Sequence, residues 1–147
     1  MALQGDGPVS AIAHGIQLAV APVFLLTGVS ALLGVLTGRL SRIVDRSRKL
    51  ESELGTVDQA IRPQLQTDLR TLWLRARLIH WAIILATTSA LLVCLVVATL
   101  FVGVLGSEDF ARLIAVLFVG AMAALSGALL AFLREIREAI RMNRAPS

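Results

Sequence analysis

Three long stretches of the chain contain no Lys, Arg, Asp or Glu: residues 7–38, 78–107 and 113–133. A hydrocarbon core of roughly 30 Å is crossed by about 20 apolar residues at a helical rise near 1.5 Å. Residues 16–36, 81–105 and 113–133 meet that length and define three expected transmembrane helices, TM1, TM2 and TM3. Runs such as Leu91-Leu92-Val93-Cys94-Leu95-Val96-Val97 are apolar all round, whereas a helix of a water-soluble bundle keeps one polar face. The expected fold class is all-α and integral to a membrane.

With 147 residues, 56% of them hydrophobic, and a mean hydropathy of +0.79, the chain has room for one membrane domain with a short polar insert. A separate soluble domain of normal size does not fit. Basic residues are absent before Arg39; nine lie between Arg39 and Arg77, Arg112 stands alone, and four follow from Arg134 onward. Because Lys and Arg beside spans are retained on the cytoplasmic side, the N-terminus is expected outside, with residues 39–77 and the tail 134–147 in the cytoplasm. The net charge of +4 then has a membrane explanation, since the same arginines face anionic lipid headgroups. Anionic lipid is an expected partner and nucleic acid is not. TM1 has nothing basic before it and is longer than a signal-peptide apolar core, so it is expected to stay attached as an anchor. The single Cys94 lies mid-span and reads as a small packing residue.

Helical spacing continues past TM1 through RLSRIVDRSRKLESEL, carried by Leu40, Ile43, Val44, Leu50 and Leu54. Gly55-Thr56 signals a break, with a short helix expected after a cap at Thr56 or Asp58. Pro63 then suits the start of a helix whose Leu65, Leu69, Leu72, Trp73 and Ala76 lead into TM2. Residues 39–77 thus read as a cytoplasmic helical hairpin extending helices 1 and 2. Asp45 stands three residues after Arg42 and four before Lys49, spacings at which side chains meet on a helix. Ser107 is expected to cap TM3, and residues 145–147 to fray.

Helices gain little from the hydrophobic effect when they associate in lipid, so small residues that allow close backbone approach mark the packing faces. TM2 offers Ala82, Ala86, Ala90, Cys94 and Ala98 at four-residue steps; TM3 offers Gly120-Ala124-Ala128 and Ala123-Gly127-Ala131. TM1 carries a weakly polar stripe of Thr27, Ser30, Ala31, Gly34, Thr37, Gly38 and Ser41, prolonged by Asp45, Arg48 and Ser52. Toward the other end, Gln17 is the one amide side chain in a span, and Pro22 frees the carbonyl of Leu18.

The stripe has two readings. In one, first helices of several subunits surround an axis, so that Gln17, Pro22, Thr27, Ser30, Gly34 and Thr37 line a polar path with Arg42, Asp45, Arg46 and Arg48 at its cytoplasmic mouth. Rings of arginine favour anions and a ring of Asp45 favours cations, and both are present. In the other, the stripe permits close helix contact, its hydroxyls bonded to their own carbonyls. No ionisable acid or base lies in the central part of a span, which argues against a proton pump, and three helices are too few for a two-fold repeat transporter. A permeation path therefore requires a homo-oligomer.

Catalytic constellations are missing. His14 and His80 sit at opposite ends of their spans, and no Ser-His-Asp set, metal-ligand cluster or phosphate-cradling loop occurs at recognisable spacing. Neither an enzyme nor a cofactor or metal is expected. His80 beside Trp81 fits an interfacial anchor pair.

The run APVFLLTGVSALLGVLTGRLSRIVDRSRKLE, Ala21 to Glu51, resembles the signature of the bacterial family of domain of unknown function 2721, small predicted membrane proteins. Pro22 with Phe24-Leu25-Leu26, and the block from Arg39 to Arg48, carry the resemblance most specifically. It implies a three-span protein of the bacterial inner membrane and brings no activity, ligand or catalytic residue. The reading that follows is a homo-oligomeric channel lined by TM1. The alternatives are a non-conducting structural or regulatory module docking a partner or anionic lipid through its hairpin, and a lipid-handling protein using the grooves between helices.

Overall fold

In the computed structural model, described for residues 8–56, 58–105 and 110–143, the chain forms three helices: α1 (Pro8–Leu54), α2 (Arg62–Leu105) and α3 (Ala111–Asn143). Each contains a segment long and apolar enough to cross a membrane. This is a membrane protein with three transmembrane helices. The proposed cap Ser107 and the tail 145–147 lie outside the described residues.

α1 runs unbroken through the polar sequence after Gly38, and α2 begins sixteen residues before its charge-free stretch, so both helices carry polar arms. The arms are joined by a turn: the Thr56 amide and hydroxyl both donate to the Glu53 carbonyl at 3.0 Å. The short helix expected after Thr56 is replaced by another turn, in which the Ile61 amide donates to the Asp58 carbonyl at 3.1 Å. Five residues between the break and α2 are too few to repay the cost of nucleating a helix. Pro63 is the second residue of α2, where its missing N–H breaks no helical bond. Pro22, in contrast, lies inside α1 without ending it.

The buried residues of the helices recur in columns of seven. On α1 they are Gly15, Pro22, Val29, Leu36 and Ile43, with Ala19 and Ser47 beside them. On α2, Leu72, Ile79, Ala86 and Val93 form one column, and Ala82, Ser89 and Val96 a second. On α3 the column is Ala121, Ala128 and Glu135. A seven-residue repeat keeps one seam facing a partner when two helices wind gently about each other. α2 uses its two columns to pack along both α1 and α3. Val29, Ala86 and Ala128 bring the three helices together in one buried cluster; Leu36, Ile43, Leu72, Ala76, Ile79 and Ala82 form the next, extending the core into the polar arms.

α2 and α3 hold a constant antiparallel register. The Ser89 hydroxyl donates to the Ala121 carbonyl at 2.8 Å, and the position a Cβ on Gly127 would take lies 3.2 Å from a Leu85 methyl. Small residues at Ala121, Gly127 and Ala128 let the backbones approach. The four-residue ridge of α2 is buried only in part: Ala82 and Ala86 are covered, Ala90 is half-buried, and Cys94 and Ala98 are exposed. Four residues overshoot a helical turn by about 40°, so an exact four-residue ridge rotates away from any straight seam.

Candidate functional site

The seam fixes what α1 presents on its other side. Thr27, Ser30, Ala31, Gly34, Thr37, Gly38 and Ser41 are all exposed in the protomer, as are Gln17, Asp45, Arg48 and Ser52. Apart from the backbone of its own helix, nothing lies within 4 Å of where a Cβ on Gly34 or Gly38 would stand. Gly34 and Gly38 are four apart, the spacing of close helix approach in membranes. The hydroxyls are bonded back to their own helix: Ser30 to the Leu26 carbonyl at 2.9 Å, Thr37 to Leu33 at 2.8 Å and to Gly34 at 3.1 Å, and Thr27 to Val23 at 3.4 Å. Each hydroxyl thereby spends its proton internally and turns only acceptor lone pairs outward.

Gln17, Thr27, Ser30, Gly34 and Thr37 thus lie on the uncovered side of α1. Pro22 does not join them: it is buried in the column with Val29 and Leu36. The charged residues considered for the mouth, Arg42, Asp45, Arg46 and Arg48, are exposed. Asp45 and Arg46 border a groove of about 490 Å³ with Lys49, Leu50 and Glu53. Among the described residues Asp45 forms no ion pair, although Arg42 and Lys49 stand at suitable spacings; the ion pairs belong elsewhere.

They belong to Glu135. Its side chain is 1% exposed, and its two oxygens are shared between helices: Oε2 accepts from Arg39 Nη1 at 2.5 Å, and Oε1 accepts from Arg75 Nη2 at 2.8 Å and Nε at 3.3 Å. Arg39 comes from α1 and Arg75 from α2, so one carboxylate ties all three helices. The Arg39 guanidinium also lies over the Phe132 ring, 5.2 Å from its centroid, a favourable cation–π placement. A buried carboxylate is tolerated only when paired and hydrogen-bonded, and here both oxygens are satisfied. The triad occupies the first charged layer beyond the apolar stretches: Arg39 follows Gly38, Arg75 precedes Leu78 by three residues, and Glu135 follows Leu133 by two.

The sequence reading missed this cluster. Glu135 stands in the run REIRE, which reads as a solvated tail, and a single signal distinguishes it from Glu138: it falls seven residues after Ala128 and fourteen after Ala121, in the packing column. Among the described residues, no three His, Cys, Asp or Glu side chains gather as metal ligands would.

The model of the family described as Protein of unknown function (DUF2721) matches residues 19–145. The chain belongs to this family. The matched segment includes Arg39, Arg75 and Glu135 and the whole outward face from Thr27 to Ser52, while Gln17 precedes it. No curated protein and no solved structure matches this DUF2721 member.

Proposed function

We propose that the protein is a homo-oligomeric channel of the bacterial inner membrane, in which α1 helices of several copies surround a central path for ions or small solutes. The observation that carries this reading is the exposed stripe of α1: from Thr27 to Ser52, Thr27, Ser30, Gly34, Thr37, Gly38, Ser41, Asp45, Arg48 and Ser52 lie away from the seam and exposed in the protomer, with Gln17 further along the helix beyond a turn of exposed apolar side chains such as Val20 and Phe24. Gln17, Thr27, Ser30 and Thr37 would line the path, with hydroxyl oxygens pointing inward as acceptors for water or cations. Arg42, Asp45, Arg46 and Arg48 would set the field at the cytoplasmic mouth. The distribution of basic residues supports an N-terminus outside and arms in the cytoplasm. Flux from liposomes containing the purified protein tests the reading. Flux above that of empty liposomes, reduced by Thr37→Leu, is expected; protein-bearing liposomes as tight as empty ones across salts, pH values and voltages would refute it.

A second reading is favoured by the back-bonded hydroxyls. With their donors satisfied internally, Thr27, Ser30 and Thr37 also suit a dry contact between α1 helices, and the assembly would then be a non-conducting module that presents its arms to a partner. In that case Thr27→Leu and Ser30→Leu dissolve the oligomer, as read by cross-linking. In a channel with its contacts elsewhere they narrow the path and leave subunit number unchanged.

A further inference from the structure

At the level of the triad, a groove of about 390 Å³ opens between α1 and α2, lined by Leu40, Val44, Trp73, Ala76, Arg77 and His80. Its floor is hydrocarbon and its polar groups are cationic or hydrogen-bond donors. Arg77 and His80 are exposed, and among the described residues neither makes a hydrogen bond or an ion pair. That sets Arg77 apart from Arg39 and Arg75, whose charges are spent on Glu135.

Depth identifies the occupant. Residues 113–133 of α3 are just long enough for the hydrocarbon core, and Glu135, two residues further, is level with Arg39 and Arg75 through their ion pairs. Arg77 and Leu40 therefore stand at the edge of the core. The groove extends outward to Trp73 and Val44, through the layer of about 5–7 Å that lipid headgroups occupy. Trp73 and Trp81 are both about half exposed, at 54% and 53%, as befits indoles at that boundary. Toward the membrane centre, steps of four and eleven residues from His80 along the same face of α2 reach the exposed side chains of Ile84 and Leu91.

We propose that this groove holds the headgroup end of one anionic phospholipid of the surrounding leaflet. Arg77 and His80 take the phosphate, the glycerol carbons cover Leu40 and Val44, and an acyl chain runs along Ile84 and Leu91. A bare anion would leave the apolar floor uncovered, and a zwitterionic headgroup would bring its own cation against Arg77. The site is independent of conduction, since it lies between helices of one protomer.

The test uses full-length protein in nanodiscs made from equal parts of phosphatidylglycerol and phosphatidylethanolamine, with bound lipid counted by native mass spectrometry after release. One retained phosphatidylglycerol per protomer is expected. The double variant Arg77→Gln, His80→Gln should weaken retention by at least about tenfold, whereas Arg46→Gln, an exposed arginine outside the groove, should stay within the roughly fivefold that a surface charge alone supplies. A Trp81→Phe variant should show Trp73 fluorescence quenched more by brominated phosphatidylglycerol than by the brominated zwitterionic lipid. Equal retention of both lipids, equal losses in the two arginine variants, or a Trp73 that no lipid quenches because a neighbouring subunit covers it would each overturn the proposal.

Discussion

The Glu135 carboxylate accepts two hydrogen bonds from the Arg75 guanidinium, Nη2 at 2.8 Å and Nε at 3.3 Å, both at Oε1. Arg39 is left to hold the other oxygen. The two arginines are thus unequal: Arg75 has a fork on the acid and a side chain 20% exposed, while Arg39 has one bond and is 38% exposed. A single buried acid fixes the spacing of three helices where the apolar core gives way to charge.

Glu135→Ala should lower protomer stability by about 3 kcal/mol, the low end of the range for breaking a buried ion pair, because both orphaned arginines retain access to water. Arg75→Ala should be more damaging than Arg39→Ala. Reversible unfolding in mixed micelles measures all three, and a Glu135→Ala protein as stable as the parent would remove the triad from any structural role.

Two glycines should respond oppositely to enlargement. Gly34→Leu meets nothing within the protomer, so its melting temperature should hold while any oligomer mediated by that face dissociates. Gly127→Leu must drive four carbons toward Leu85, whose methyl already stands 3.2 Å from the first of them, and should destabilise the α2–α3 pair itself. Melting curves combined with cross-linking distinguish the two.

Ser89→Ala removes, among the described residues, the hydroxyl that bonds from α2 to the α3 backbone. The expected loss is about 0.6 kcal/mol, the average for interhelical hydrogen bonds in a membrane. Unfolding measurements on Ser89→Ala and Thr88→Ala check it, since Thr88 bonds only to the Ile84 carbonyl of its own helix and should be nearly silent.

Leu36→Ala empties a fully buried position in the seam. In a soluble core such a change costs about 2–5 kcal/mol, but lipid is as apolar as leucine, so only the packing part of that loss applies here. A loss of about 1–2 kcal/mol is expected. A larger value would mean that this layer is solvated by water in the unfolded state.

The spans were legible in the sequence because charge is so costly in hydrocarbon that residues 7–38, 78–107 and 113–133 could hardly be anything else. The helical extension to Leu54 was legible from its leucine spacing. The packing faces were harder to read. On α1, exposed Val20, Phe24 and Val35 are as apolar as the column of Gly15, Pro22, Val29, Leu36 and Ile43, so apolar character alone does not pick out the seam, and Pro22 read as exposed backbone when it is part of it. Glu135 was hidden by the opposite effect: its neighbours Arg134, Arg137 and Glu138 are charged, and which of them turns inward depends on a register that extends back to Ala121. The outward stripe of α1 was found because small and hydroxyl residues stand out against leucine.

α1 is a single helix of 47 residues, roughly 70 Å from end to end at the rise of an α-helix, and it crosses the boundary between lipid and water without a joint. A load on the arm near Leu54 would pass along the rod beyond the Arg39–Glu135 contact as far as Pro22, where the missing helical hydrogen bond makes the first place at which the rod could bend.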